Sequence, residues 1–143
     1  MQHSPSPKII VSCFIFNNQG ELFLMESPKW QNQYLIPGGH LEYGETLTDC
    51  CRREVKEETG LNLYQLKFFS YLDGIKPPDY FRKNVHFVYL YFIAKTKSNK
   101  IILDDREGQA HLFVKPKKSL SLNNLHPEIK KLIQKIIKEK YVR

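Results

Sequence analysis

Cysteine is scarce in this chain, three in 143 residues, and two of the three, Cys50 and Cys51, are neighbours. That excludes a disulfide framework and any C-x-x-C metal or redox motif, and leaves buried reduced thiols as the expectation. Long apolar runs are missing too. The longest, IIVSCFIF at 9–16, is too short for a bilayer, is interrupted by Ser12, and lacks the charged start and small-residue cleavage site of a secretory signal. A cytoplasmic protein with no membrane partner is expected. There is no internal repeat, linker or low-complexity block. What remains, 41% hydrophobic and 26% charged over 143 residues, describes one globular domain, 1–143, with its own core.

Most of the chain also has no charge excess of either sign. Residues 115–143 carry nine Lys or Arg against two Glu, whereas residues 1–114 carry 13 of each sign. Within the basic tail, Ile129, Leu132, Ile133, Ile136 and Ile137 recur at helical spacing after His126-Pro127, so an amphipathic C-terminal helix is predicted with lysines on its other face. A solvated helix face is the simpler account of those lysines. The alternative is an electrostatic pull on polyanions such as nucleotides or RNA.

The earlier chain reads as strands around one central helix. KIIVSCFIF and ELFLME flank the turn signal NNQG and predict a hairpin. Residues 65–72 and 85–93 read as two more strands, joined by the Gly- and Pro-marked loop DGIKPPDYFRKN, and 110–114 as a short fifth. The central helix is predicted to begin after Gly44 with Thr46 as cap and to end at Thr59-Gly60, and Leu47, Cys51 and Val55 form its apolar stripe. Strands, helix, strands, helix implies a mixed sheet with helices on its faces.

That helix carries a costly feature. Glu54, Glu57 and Glu58 sit at i, i+3 and i+4, within roughly one quadrant of the surface, where like charges repel. One arginine, Arg53, cannot neutralise three carboxylates. A hard divalent cation with oxygen ligands can, and IPGGH ahead of the helix, with Pro37 and two glycines, lets the backbone pass close and offer a carbonyl as a further ligand.

From Gly39 to Leu61 the residues Gly39, Glu45, Arg53-Glu54-Val55, Glu57-Glu58 and Gly60-Leu61 resemble the Nudix box, G-x5-E-x7-R-E-U-x-E-E-x-G-U, at every defined position. The resemblance implies an α/β fold, the Nudix α/β/α sandwich with a central mixed sheet. It also implies hydrolysis of a nucleoside diphosphate linked to another moiety, with Mg²⁺ or Mn²⁺. By the same resemblance Glu54, Glu57 and Glu58, with the Gly39 carbonyl, would hold the metal, and Arg53 and Glu45 would pair to keep helix and loop in register. Glu57, Glu58 or a loop acid, Glu107, would be the general base. A solvated acidic helix face is the competing account of the triplet.

Substrate signals are thinner. PGGHLEYGE and the strand NVHFVYLYF resemble the MutT-like nucleoside triphosphate pyrophosphatases, the MutT homologue 2 type above all. That resemblance implies (d)NTP hydrolysis to (d)NMP and pyrophosphate, with Tyr34, His86 and Phe87 shaping a base pocket. The same residues read without it are a strand histidine and core aromatics. Pro77 and Tyr80 fall near positions marking ADP-ribose and diadenosine polyphosphate hydrolases, but KPPDYF lacks the fuller signatures, and no coenzyme A signature is present. The alternatives are those two hydrolase classes or a non-catalytic module binding nucleotide or RNA. Nucleic acid is not the expected partner, and a homodimer is left open.

Overall fold

The computed structural model describes residues 6–103 and 110–139. Its strands are β1 (Lys8–Phe16), β2 (Leu22–Ser27), β3 (Gln33–Leu35), β4 (Gly38–His40), β5 (Tyr64–Ile75), β6 (His86–Lys95) and β7 (His111–Val114). Its α-helices are α1 (Leu47–Thr59), the short α2 (Pro116–Ser119) and α3 (Pro127–Lys138), with a 3-10 turn at Pro28–Trp30.

One mixed seven-stranded sheet runs β3-β2-β1-β6-β5, with β4 against β1 and β7 against β2. β1 lies parallel to β6 along its whole length, from Lys8 opposite Phe87 to Phe16 opposite Lys95. Its apolar run has no polar alternation because both faces are covered. Val11, Cys13 and Ile15 meet Cys50, Cys51 and Val55 of α1 on one side. Phe14 and Phe16 meet Ile129, Ile133 and Ile136 of α3 on the other. Ile133 and Ile136 have no exposed surface, and each such burial is worth about 1.5–3 kcal/mol. The expected α/β/α sandwich is therefore the observed fold.

The helix ends obey local chemistry. Thr46 Oγ1 accepts from the Asp49 amide at 3.1 Å, and Gly60, at φ 77°, closes α1 with its N–H on the Lys56 carbonyl. His126 caps α3 with its ring, Nδ1 accepting from the Glu128 amide at 3.1 Å, and Pro127 follows at the first turn. Among the described residues no helix is long and apolar enough to cross a membrane.

The predicted hairpin forms only at its turn end. β1 and β2 pair at Phe16 and Leu22 and then diverge. Along the edge so exposed, β1 takes β4 at Ile10–Ser12, and β2 takes β3 at Met25–Ser27. The segment 33–40 thus fills a fork in the sheet. Sequence pattern misses β3 and β4 because each is three residues long and β4 is Gly-Gly-His, which carries no strand propensity of its own.

Candidate active site

The fork places Gly38 and Gly39 between β1 and α1. An added methyl at Gly38 would lie 2.5 Å from the Val11 carbonyl oxygen and 2.7 Å from Ser12 Cα; one at Gly39 would lie 2.2 Å from the Glu54 carboxyl carbon. Only glycine lets β4 pass this close to both neighbours. The Gly38 amide donates to Glu58 Oε2 at 3.0 Å, which gives that buried carboxylate a backbone donor.

Arg53 organises the rest of this end. Its guanidinium donates to both Glu45 oxygens, at 2.7 and 3.0 Å, to the His40 carbonyl at 3.1 Å, and to Glu54 Oε1 at 2.8 Å, and it reaches Glu57 Oε2 at 3.4 Å. The two-pronged Arg53–Glu45 pair ties α1 to the loop before it, as a planar fork on a carboxylate does. It holds the Glu45 carboxyl down at about 2, chiefly through those hydrogen bonds, and the carboxylates in turn raise Arg53 above its ordinary value. Cys50, buried behind the pair, is pushed up to about 12 by loss of solvent first and by Glu45 second.

Glu54, Glu57 and Glu58 project into one cleft together with Gly38 and Gly39. Among the described residues no three His, Cys, Asp or Glu side chains form a closed cation cage; Glu54 and Glu57 are turned toward Arg53, and Glu58 toward Gly38. The donor set is nonetheless all carboxylate and carbonyl oxygen, the chemistry of a hard divalent ion, and Glu57 has 58% of its side chain exposed to the cleft and solvent. Glu107 lies outside the described residues.

The cleft, about 1020 Å³, continues from the glutamates to an aromatic far end. Phe87 lines it. Tyr34 and His86 are not among its described lining residues, and strand alternation is the reason. Gln33 and Leu35 face the cleft, which turns Tyr34 toward the α3-side core; Phe87, Tyr89 and Tyr91 face it, which turns His86 away. Burial and Glu26 raise the Tyr34 hydroxyl.

Four contributors at the far end went unforeseen: Trp30, Gln33, Asp79 and His126, with Tyr80 considered only as a weak family marker. Tyr80 packs on Trp30 at 4.7 Å and on Phe87 at 5.1 Å between ring centres, and Trp30 meets His126 edge-on at 5.3 Å. Gln33 Nε2 donates to the Trp30 carbonyl at 2.9 Å and to Asp79 Oδ2 at 2.8 Å. Because His126 Nδ1 accepts from Glu128, the neutral ring carries its proton on Nε2. Nε2 lies 2.8 Å from Asp79 Oδ2, yet off the line along which its N–H points, so it has no aligned partner among the described residues. Burial lowers the His126 pKa against the opposing pull of Asp79 and Glu128. The visible signals were slight: the one tryptophan of the chain in a Pro-led turn, and an Asp-Tyr pair in a surface loop.

Known proteins resemble this arrangement at three levels. A solved MutT protein from Methanosarcina mazei Go1 superposes with a TM-score of 0.77 at 18% identity, over 97% of this chain and 99% of that one, a likeness of fold. The nucleoside triphosphatase NudI of Salmonella agona is 28% identical over 125 residues, 81% of this chain and 87% of the relative. The NAD-capped RNA hydrolase NudC of Vibrio parahaemolyticus is 39% identical over 65 residues, 45% of this chain, and the match spans only 24% of that relative's length. The NUDIX domain model matches residues 6–136, from β1 through most of α3. By its fold, its 39–61 motif and that match, the chain belongs to the NUDIX family of hydrolases.

Proposed function

We propose that this protein is a Mg²⁺- or Mn²⁺-dependent pyrophosphohydrolase that cleaves between the α and β phosphates of (d)NTPs, releasing (d)NMP and pyrophosphate. The observation that carries the reading is continuity: one cleft of about 1020 Å³ joins three helix carboxylates to a wall of aromatic rings, so a single nucleotide spans both. Members of the family act on nucleotides and generally need a divalent metal.

Glu54, Glu57, Glu58 and the Gly39 carbonyl would hold the cation, which when bound neutralises charge on the pyrophosphate oxygens and acidifies water. The remaining work falls to the chain itself. Arg53 and Glu45 fix α1 against the 38–40 strand, so the carboxylates keep their distance from the phosphates. Glu58, buried and already holding the Gly38 amide, positions that strand. Glu57, the more exposed carboxylate, is the better placed to take the proton of the attacking water. The water oxygen bonds to phosphorus, the phosphorus bond to the bridging oxygen breaks, and that oxygen leaves with the departing phosphate group.

NudI favours the triphosphate class, being similar over four fifths of both chains. NudC favours a dinucleotide pyrophosphate as the second reading. A phosphate-release screen with Mg²⁺, coupled through pyrophosphatase for triphosphates and through phosphatase for other nucleotides, decides between them. At least one nucleoside triphosphate should show a higher kcat/KM than ADP-ribose, diadenosine polyphosphates or NADH. A tenfold advantage for ADP-ribose, about 1.4 kcal/mol in transition-state stabilisation, would reverse the substrate assignment and leave the hydrolytic chemistry standing.

A further inference from the structure

The far end of the cleft has more hydrogen-bonding capacity than its own contacts use. Tyr89 Oη is buried there with no hydrogen-bond partner among the described residues, and His126 Nε2, 2.8 Å from the Asp79 carboxylate, is not aligned on it. Both side chains line the cleft. Buried polar atoms left unpaired are costly, and a ligand that supplies their partners recovers that cost. Asp79 adds a directional feature. Gln33 Nε2 donates to its Oδ2 and His126 Nε2 lies near the same oxygen, each at 2.8 Å, while Oδ1 takes no hydrogen bond among the described residues.

We propose that this end is a nucleobase subsite in which Asp79 selects a base edge bearing two adjacent N–H donors, as guanine does, against the aromatic wall of Trp30 and Tyr80. The proposal deepens the nucleotide reading and rests on it for the orientation that sends the phosphates toward α1. An ionised carboxylate only accepts hydrogen bonds. Gln33 commits both amide hydrogens, to the Trp30 carbonyl and to Asp79, so what it can turn to a ligand is again an acceptor. The edge is therefore acceptor-rich. Adenine and cytosine place a ring-nitrogen lone pair beside their amine and would aim it at a carboxylate. Uracil and thymine have one N–H between two carbonyls. Guanine alone among the common bases offers N1–H and its amine side by side. A site built to hydrogen-bond a group discriminates strongly against analogues that lack it.

Trp30 is the one tryptophan of the chain and packs on Tyr80 and His126, so its fluorescence reports this subsite directly. The test titrates the whole protein with GMP, IMP, XMP and AMP while following Trp30 emission, with no turnover required. GMP should bind at least tenfold tighter than AMP and XMP, with IMP, which lacks the amine, between them. Asp79→Asn, which offers a donor as well as an acceptor, should reduce the GMP advantage over XMP by tenfold or more. AMP or XMP binding the wild type as tightly as GMP, no response to GMP, or an unchanged GMP-to-XMP ratio in a folded Asp79→Asn protein would overturn the assignment. The wild-type panel stands whether or not that variant folds. A GMP preference without triphosphate turnover would sink the triphosphate reading and leave the subsite intact. Turnover with base-indifferent binding would do the reverse.

Discussion

The two ends of the cleft are built in opposite ways. The acidic end comes from one stretch of 23 residues, 39–61, in which a glycine turn, a capped helix and an arginine fork are nearly contiguous. The aromatic end takes Trp30 from the 3-10 turn, Gln33 from β3, Asp79 and Tyr80 from the β5–β6 loop, Phe87 and Tyr89 from β6, and His126 from the cap of α3. At the first end, geometry follows from local chemistry: Arg53 finds Glu45 because both belong to the same turn-and-helix unit. At the second, nothing local brings the parts together, and ring contacts between distant segments hold it. The first end should therefore respond to substitution as a chemical unit and the second as a packing one.

The largest expected effect is chemical. Glu57→Gln removes a charge from a side chain that is 58% exposed; it should lower kcat by two or more decades and weaken stabilisation by Mg²⁺, with the metal-free melting temperature almost unchanged. Glu42→Gln is the control, because Glu42 lies at the margin, 3.8 Å from Arg53, with 69% of its side chain exposed. Equal Mg²⁺-induced shifts in melting temperature for wild type and Glu57→Gln would count against the site.

A smaller effect separates fold from chemistry within one dipeptide. Gly38→Ala drives a methyl onto β1 backbone, at 2.5 Å from the Val11 oxygen, and should cost about 1–3 kcal/mol of stability in urea unfolding. Gly39→Ala meets the end of a flexible Glu54 side chain instead, so it should fold nearly as well while losing roughly tenfold or more in kcat through the displaced carboxylate. If both variants lose stability alike, the division of labour between the two glycines is wrong.

The smallest effect contrasts the ends by pH. Glu45 is held at about 2, below its ordinary carboxylate value, so the Arg53–Glu45 tie contributes above that ordinary value and is lost only as pH falls toward 2. His126 is also lowered, so its neutral, buried form contributes above about 6.5 and is lost as pH falls through its folded value. On acidification Trp30 fluorescence should therefore change well before the Glu45 carboxyl titrates by NMR, and His126→Gln should remove the early transition. Glu45 titrating first would break the comparison.

How much of this was legible follows the same division. Thr46, Gly60 and Pro127 marked helix ends to the residue, because caps act on groups within one turn. The placing of β1 between two helices was implicit in an apolar run that only Ser12 interrupts. Tyr34 and His86 were placed in the base pocket by resemblance, yet each lies one residue out of phase with the side chains that face the cleft. A strand reverses faces at every residue, and which face looks inward is fixed by the partner strand, not by the strand's own composition.

By itself, the sequence determined the acidic helix and its caps, and the 39–61 motif pointed to the family, because carboxylates at i, i+3 and i+4 and capping groups act within a turn or two of one another wherever the chain goes. Only the tertiary structure decided that β1 and β2 part after one pair, that 33–40 fills the gap, and that Trp30, Asp79 and His126 meet across it. Those contacts join residues up to nearly a hundred positions apart, and such contacts exist only after the sheet register has been set by the burial of both its faces.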